Sequence, residues 1–112
     1  VDADRAAART AAALGADELL LLSNVPGVLR EPRDAGSLIG RVDAANIEEV
    51  RRAAAGRMKN KVLAAEEAMR GVGGRAVPRV VIGSANGEHA IARARGGEGT
   101  VFMGGGVAAG VA

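Results

Sequence analysis

Lysine occurs at only two positions, 59 and 61, although the sequence holds fifteen Lys and Arg residues. Both lie in the stretch Gly56-Arg57-Met58-Lys59-Asn60-Lys61. A compact ammonium can follow a moving phosphoryl oxygen, whereas a planar guanidinium presents a fixed fork. Cations at the start of a helix also run against its macrodipole, typically by about 0.3 to 1 kcal/mol, and an anionic ligand would remove that penalty. The stretch reads either as an anion site or as the basic first turn of a solvated helix.

Three further segments could carry chemistry. Asp2-Ala3-Asp4 sets two carboxylates one residue apart, which on an extended segment share a face. Strand ends are where open α/β sheets take ligands. The alternative is that Asp4 only caps the helix that follows. Ser23-Asn24-Val25-Pro26-Gly27 either forms a turn dictated by Pro-Gly or borders a ligand. Gly96-Gly97-Glu98-Gly99-Thr100 is glycine-rich but lacks the Lys-Ser/Thr ending of a P-loop. The single histidine, His89 beside Glu88, reads as a surface residue rather than a base. With no cysteine, disulfides and thiolate zinc sites are excluded, and one histidine builds no metal site without carboxylates.

The elements that must position these groups follow from period and punctuation. A helix over Ala6–Leu14 is expected, capped by Asp4 and closed by Gly15. Glu18–Ser23, with four consecutive leucines, fits a strand buried on both faces, although leucines alone would also suit a helix. Val28–Arg30 is expected to pair with Leu38–Val42 as a small hairpin. Asp43 would cap a helix carrying Ile47, Val50 and Ala54 and ending at Gly56. Another helix is expected over Met58–Arg70, with Val62, Ala65, Ala68 and Met69 on one face. Pro78–Gly83 reads as a second buried strand, Glu88–Arg95 as a short helix and Thr100–Met103 as a last strand. This order predicts an α/β, three-layer sandwich with a mainly parallel sheet. The Gly/Ala stretch 104–112 is expected to be a flexible tail.

Composition narrows the function classes. A chain of 112 residues suits one domain, with 48% hydrophobic and 25% charged residues as in a globular protein. Phe102 is the only aromatic residue, so the core must be aliphatic and no platform exists for stacking bases. The net charge of +2 is spread among acidic residues, so no nucleic-acid footprint is indicated. The longest apolar run, Leu19–Leu22, is far short of the roughly 20 residues of a membrane span.

Taken in order, these segments resemble the C-terminal half of the acetylglutamate kinase group within the amino acid kinase family. That group has an Asn/Asp-Ala/Gly-Asp segment before an Ala-rich helix, a leucine strand entering a Ser/Thr-Asp-Val-Pro-Gly loop, and a later Gly-x-Met-x-x-Lys segment. Asp2, Asn24 and the Arg57–Lys61 run look more like the branch that phosphorylates 2-aminoadipate or glutamate held on an amino-group carrier protein, in lysine and arginine biosynthesis. The resemblance implies residues 1–103 as the C-terminal ATP-binding lobe, with the N-terminal lobe outside the chain. Alone, such a lobe is expected to be inactive.

What the resemblance implies chemically is ATP-dependent phosphorylation of a side-chain carboxylate to an acyl phosphate, with Mg2+ accompanying the nucleotide. By position, Lys61 would stabilise charge on the transferring phosphoryl group and Asp4 would orient the catalytic lysines. Ser23, Asn24, Gly27, Met58 and Lys59 would contact the nucleotide, and Asp2 the substrate. A cytoplasmic enzyme, homo-oligomeric when complete, is expected. Two departures stand out: Asn24 replaces the commoner Asp, and Ser84-Ala85-Asn86-Gly87 replaces an Asp-Gly-Arg type segment. Acetylglutamate kinase itself is the alternative, and a non-catalytic nucleotide-binding module is an alternative of a different class.

Overall fold

The computed structural model describes residues 2–103. The expectation for 104–112 lies outside them. Helix α1 spans Ala3–Leu14, β1 Glu18–Ser23, β2 Arg41–Val42, α2 Ile47–Ala53, α3 Arg57–Arg70, β3 Arg79–Ser84, α4 Ala90–Arg95 and β4 Thr100–Met103. Among the described residues no helix is long and apolar enough to cross a membrane.

One four-stranded sheet has the order β1-β3-β4-β2. β1 and β3 are parallel with Glu18 opposite Arg79 and Ser23 opposite Ser84. β2 and β4 are also parallel, and β3 and β4 are antiparallel. The sheet is therefore mainly parallel, as the continuous apolar runs at Leu19–Leu22 and Val80–Ile82 require when both faces are covered. On one face lie α1 and α3, whose buried Ala8, Ala11, Ala64, Ala65 and Ala68 join Leu21, Val80, Ile82 and Phe102 in one core. On the other lies α4, with Ala94 against Gly83. These are the three layers.

Five local expectations are corrected. Asp2, not Asp4, caps α1: its Oδ1 accepts from the N–H of Asp4 at 3.0 Å and of Arg5 at 3.3 Å. The helix thus begins before Asp4, and the two carboxylates do not share an extended segment. The hairpin shrinks to a bridge between Leu29 and Leu38, because Arg41–Val42 pairs with β4 instead. That pairing sets Val42 beside Phe102, and both are buried. Asp43 closes a turn, accepting from Ala45 and Asn46, rather than capping α2. α2 in turn ends at Ala53, short of Gly56. α4 starts at Ala90 because His89, at φ +58°, leaves the helical region.

Two buried acidic residues on α3 tie the helices together. Glu67 accepts from Arg5 of α1, with Arg9 also near it, and Glu66 accepts from Arg51 of α2. The hydrogen bond from Arg5 holds the Glu67 carboxyl below its ordinary range, against the opposing effect of burial. A carboxylate depressed on folding contributes stability that is present above its unfolded pKa, about 4.3, and is lost as pH falls through the folded value. Glu67→Gln is expected to lower stability at pH 7 by about 1 to 3 kcal/mol. Its melting temperature should also fall less steeply than wild type on acidification below about pH 4, as calorimetry across pH would measure.

The turn after α3 is equally constrained. A Cβ at Gly74 would stand 2.2 Å from the carbonyl oxygen of Ala12, the same oxygen that accepts from Arg75 N–H at 2.9 Å. Gly73 has open space around it and only a positive φ of +84°. Gly74→Ala is therefore expected to cost about 1 to 3 kcal/mol by overpacking. Gly73→Ala should cost only the left-handed penalty of about 1 to 2 kcal/mol, both read from urea unfolding.

Candidate functional site

Parallel pairing brings the carboxyl ends of β1 and β3 side by side, with Ser23 opposite Ser84. The chain beyond each strand turns on its serine: Ser23 Oγ accepts from Val25 N–H at 3.5 Å, and Ser84 Oγ from Asn86 N–H at 3.0 Å. Asn86 Nδ2 then donates to the Asn24 carbonyl at 3.3 Å, so the departure from the family pattern at Ser84–Gly87 supplies a tie to the loop after β1.

A cleft of about 460 Å³ opens between that loop and the start of α3. Leu22, Ser23, Asn24 and Val25 form one wall, and Ala55, Arg57, Met58 and Lys61 the other. Its volume falls within the roughly 300 to 1,000 Å³ usual for small-molecule sites. Beside it is an apolar pocket of about 140 Å³ lined by Val25, Gly27, Leu29, Pro32, Ala53, Ala55 and Met58. Val25, Ala55 and Met58 border both. The combined space has a cationic end and an apolar end.

Lys61, on the cleft wall, is held by Asp4 although 57 residues separate them in sequence, and Asp4 itself lies outside the cleft lining. Nζ donates to Oδ1 at 3.1 Å and to Oδ2 at 3.0 Å, and the side chains are 13% and 24% exposed. The contact exists because α1 and α3 lie together along their alanine faces. With Asp2 taking the cap, Asp4 is released to face α3.

Of the other sequence-derived site residues, Ser23, Asn24 and Met58 line the cleft and Gly27 lines the apolar pocket. Gly27 is needed there for a packing reason too: a Cβ would lie 2.7 Å from Thr100 Oγ1, which accepts from Val28 N–H at 2.9 Å. Lys59 is exposed and borders a separate pocket of about 150 Å³ with Arg51, Val62 and Glu66. Asp2 is occupied at the cap and lies outside the cleft lining. Arg57, part of the stretch read as a possible anion site but not expected as a nucleotide contact, also lines the cleft. Helical period would have found it, since positions 57 and 61 are i and i+4 on one face while position 59 lies on the far side.

Residues 1–84 match the amino acid kinase family. The chain is 52% identical over 101 residues to a [LysW]-aminoadipate kinase of Deinococcus radiodurans, covering 90% of this chain and 33% of that protein. It is 46% identical over 102 residues to a protein of the same name from Thermus thermophilus, covering 89% and 36%. The chain thus spans about a third of the length of these curated relatives. In fold it is similar to the N-acetylglutamate synthase of Neisseria gonorrhoeae, with a TM-score of 0.72 at 24% identity over 89% of this chain and 23% of that one. From the match over residues 1–84 and the agreement along nine-tenths of its length, the chain belongs to the amino acid kinase family.

Proposed function

We propose that this chain forms the nucleotide-binding part of an ATP-dependent kinase that phosphorylates the side-chain carboxylate of 2-aminoadipate or glutamate held on an amino-group carrier protein. The observation that carries the reading is the two-oxygen grip of Asp4 on Lys61, whose side chain lines a cleft that continues into an apolar pocket. The similarity along nine-tenths of the chain to a protein named for aminoadipate supports the choice of acceptor.

The residues present suit a nucleotide. Lys61 offers positive charge, Ser23 and Asn24 offer polar side chains, and the pocket of Val25, Leu29, Pro32 and Met58 suits the flat face of a base. Among the described residues no group of three or more His, Asp and Glu could hold a metal ion. Mg2+ is accordingly proposed to be held by the phosphates, as is usual for a cation that keeps most of its water. ATP supplies the phosphoryl group when bound.

Phosphoryl transfer calls for positioning and charge neutralisation more than covalent participation. Lys61 meets the negative charge that grows on the equatorial oxygens. Asp4, gripping Nζ with both oxygens, fixes where that ammonium stands and so removes the need to order it during the reaction. The acceptor carboxylate attacks phosphorus, its new P–O bond forms as the bond to the leaving ADP breaks, and no proton need move because the acceptor is already ionised.

In the full-length protein carrying this sequence, Lys61→Ala is expected to lower kcat by about 10²- to 10³-fold, the usual loss for one transition-state donor. Asp4→Asn should lose less, because the ammonium remains. A coupled ADP-release assay measures both, and unchanged turnover in Lys61→Ala would remove the kinase assignment of this site. The acceptor is tested by presenting ATP with carrier-bound aminoadipate, carrier-bound glutamate and free acetylglutamate in turn. Turnover of a carrier-bound acid is expected. Turnover of acetylglutamate alone would make the protein an acetylglutamate kinase, and nucleotide binding without turnover of any of the three would make it a non-catalytic nucleotide-binding module.

A further inference from the structure

The charges around the cleft do not balance for the ligand proposed. Lys61 is engaged with both oxygens of Asp4, so that pair is formally neutral. The eight lining residues include no acidic side chain, and Arg57 is the remaining cation among them. Among the described residues, Arg57 takes part in none of the ion pairs that occupy Arg5, Arg9, Arg30, Arg51, Arg79, Arg93 and Arg95. It is exposed, and it stands one turn before Lys61 on the same face of α3, about 6 Å back along the axis.

Its neighbours fix its place in the cleft. Arg57 adjoins Met58 and lies near Ala55, the residues that also line the apolar pocket, whereas Lys61 stands one turn further along α3, held by Asp4. Running from the apolar pocket outward, a nucleotide would pass Arg57 before it reached Lys61. A planar guanidinium presents paired donors to phosphate oxygens and stays charged throughout the working pH range.

Resting on the nucleotide reading above, we infer that Arg57 is the residue that binds the phosphates nearest the ribose, and so sets affinity for ATP and ADP alike, while Lys61 serves the transferring group. The division follows from charge state and position. Lys61, already neutralised by Asp4, adds little net attraction for a resting polyanion; Arg57 supplies it. Because ADP retains the phosphates that Arg57 meets, the side chain contributes equally to substrate binding and to product retention. Its effect therefore falls on KM and on the dissociation of ADP, and leaves the chemical step alone.

The test compares Arg57→Ala and Arg57→Lys with wild type in the full-length protein, by calorimetric titration with ADP, AMP and adenosine and by steady-state kinetics. Arg57→Ala is expected to weaken ADP and raise the KM for ATP by about tenfold or more, the usual worth of a hydrogen bond to a charged group. Adenosine binding should be unchanged, kcat should stay within about twofold because no interaction specific to the transition state is lost, and the dependence of ADP binding on salt should flatten. Arg57→Lys should recover part of the ADP affinity, which a structural role for the guanidinium would not give. Wild-type ADP affinity in Arg57→Ala, or equal weakening of ADP and adenosine, would overturn this assignment and leave the nucleotide site standing. Failure of the wild-type protein to bind ADP at all would overturn both.

Discussion

The contact between Lys61 and Asp4 is the one on which the site depends. It joins the first turn of α1 to the second turn of α3, and neither residue could reach the other if the helices stood a typical side chain's width further apart. Around it are a capped helix start, an alanine interface and the buried Glu67, which ties α3 to α1 through Arg5. The cleft beside it is the space left where α3 begins and β1 ends. Placing a charged pair at that junction is costly unless each group is well satisfied, which the two-oxygen grip achieves for the ammonium.

Much of this architecture was legible from the residues. β1 and β3 could be read because strands buried on both faces are written as continuous apolar runs, and α3 because its apolar residues recur at helical spacing. The start of α1 was misplaced because Asp2 and Asp4 are both competent caps, and spacing alone does not say which one the backbone N–H groups will choose. β2 was misassigned for a different reason. Two residues carry almost no pattern, and their partner Phe102 lies sixty positions away, so its pairing is decided by tertiary packing.

The site shows the same division. Lys61, Ser23, Asn24 and Met58, expected from residue type and motif, border one cleft. Lys59, expected from the same signals, borders a separate pocket, whereas Arg57, not among the expected contacts, lines the cleft. On a helix, angle decides which side chains share a space, and two residues of one chemistry separated by two positions rarely do.

The interface between α1 and α3 carries a further consequence. Ala8, Ala11, Ala64, Ala65 and Ala68 have no rotatable side-chain torsion, so the apolar part of the seam cannot adjust by changing rotamer. The spacing of the two helices is set by backbone against methyl groups, as rigid as covalent geometry makes it. Thermal repacking, which blurs distances across seams of leucine or methionine, has no purchase here. The grip of Asp4 on the Lys61 ammonium has been built on the least adaptable residue with a side chain.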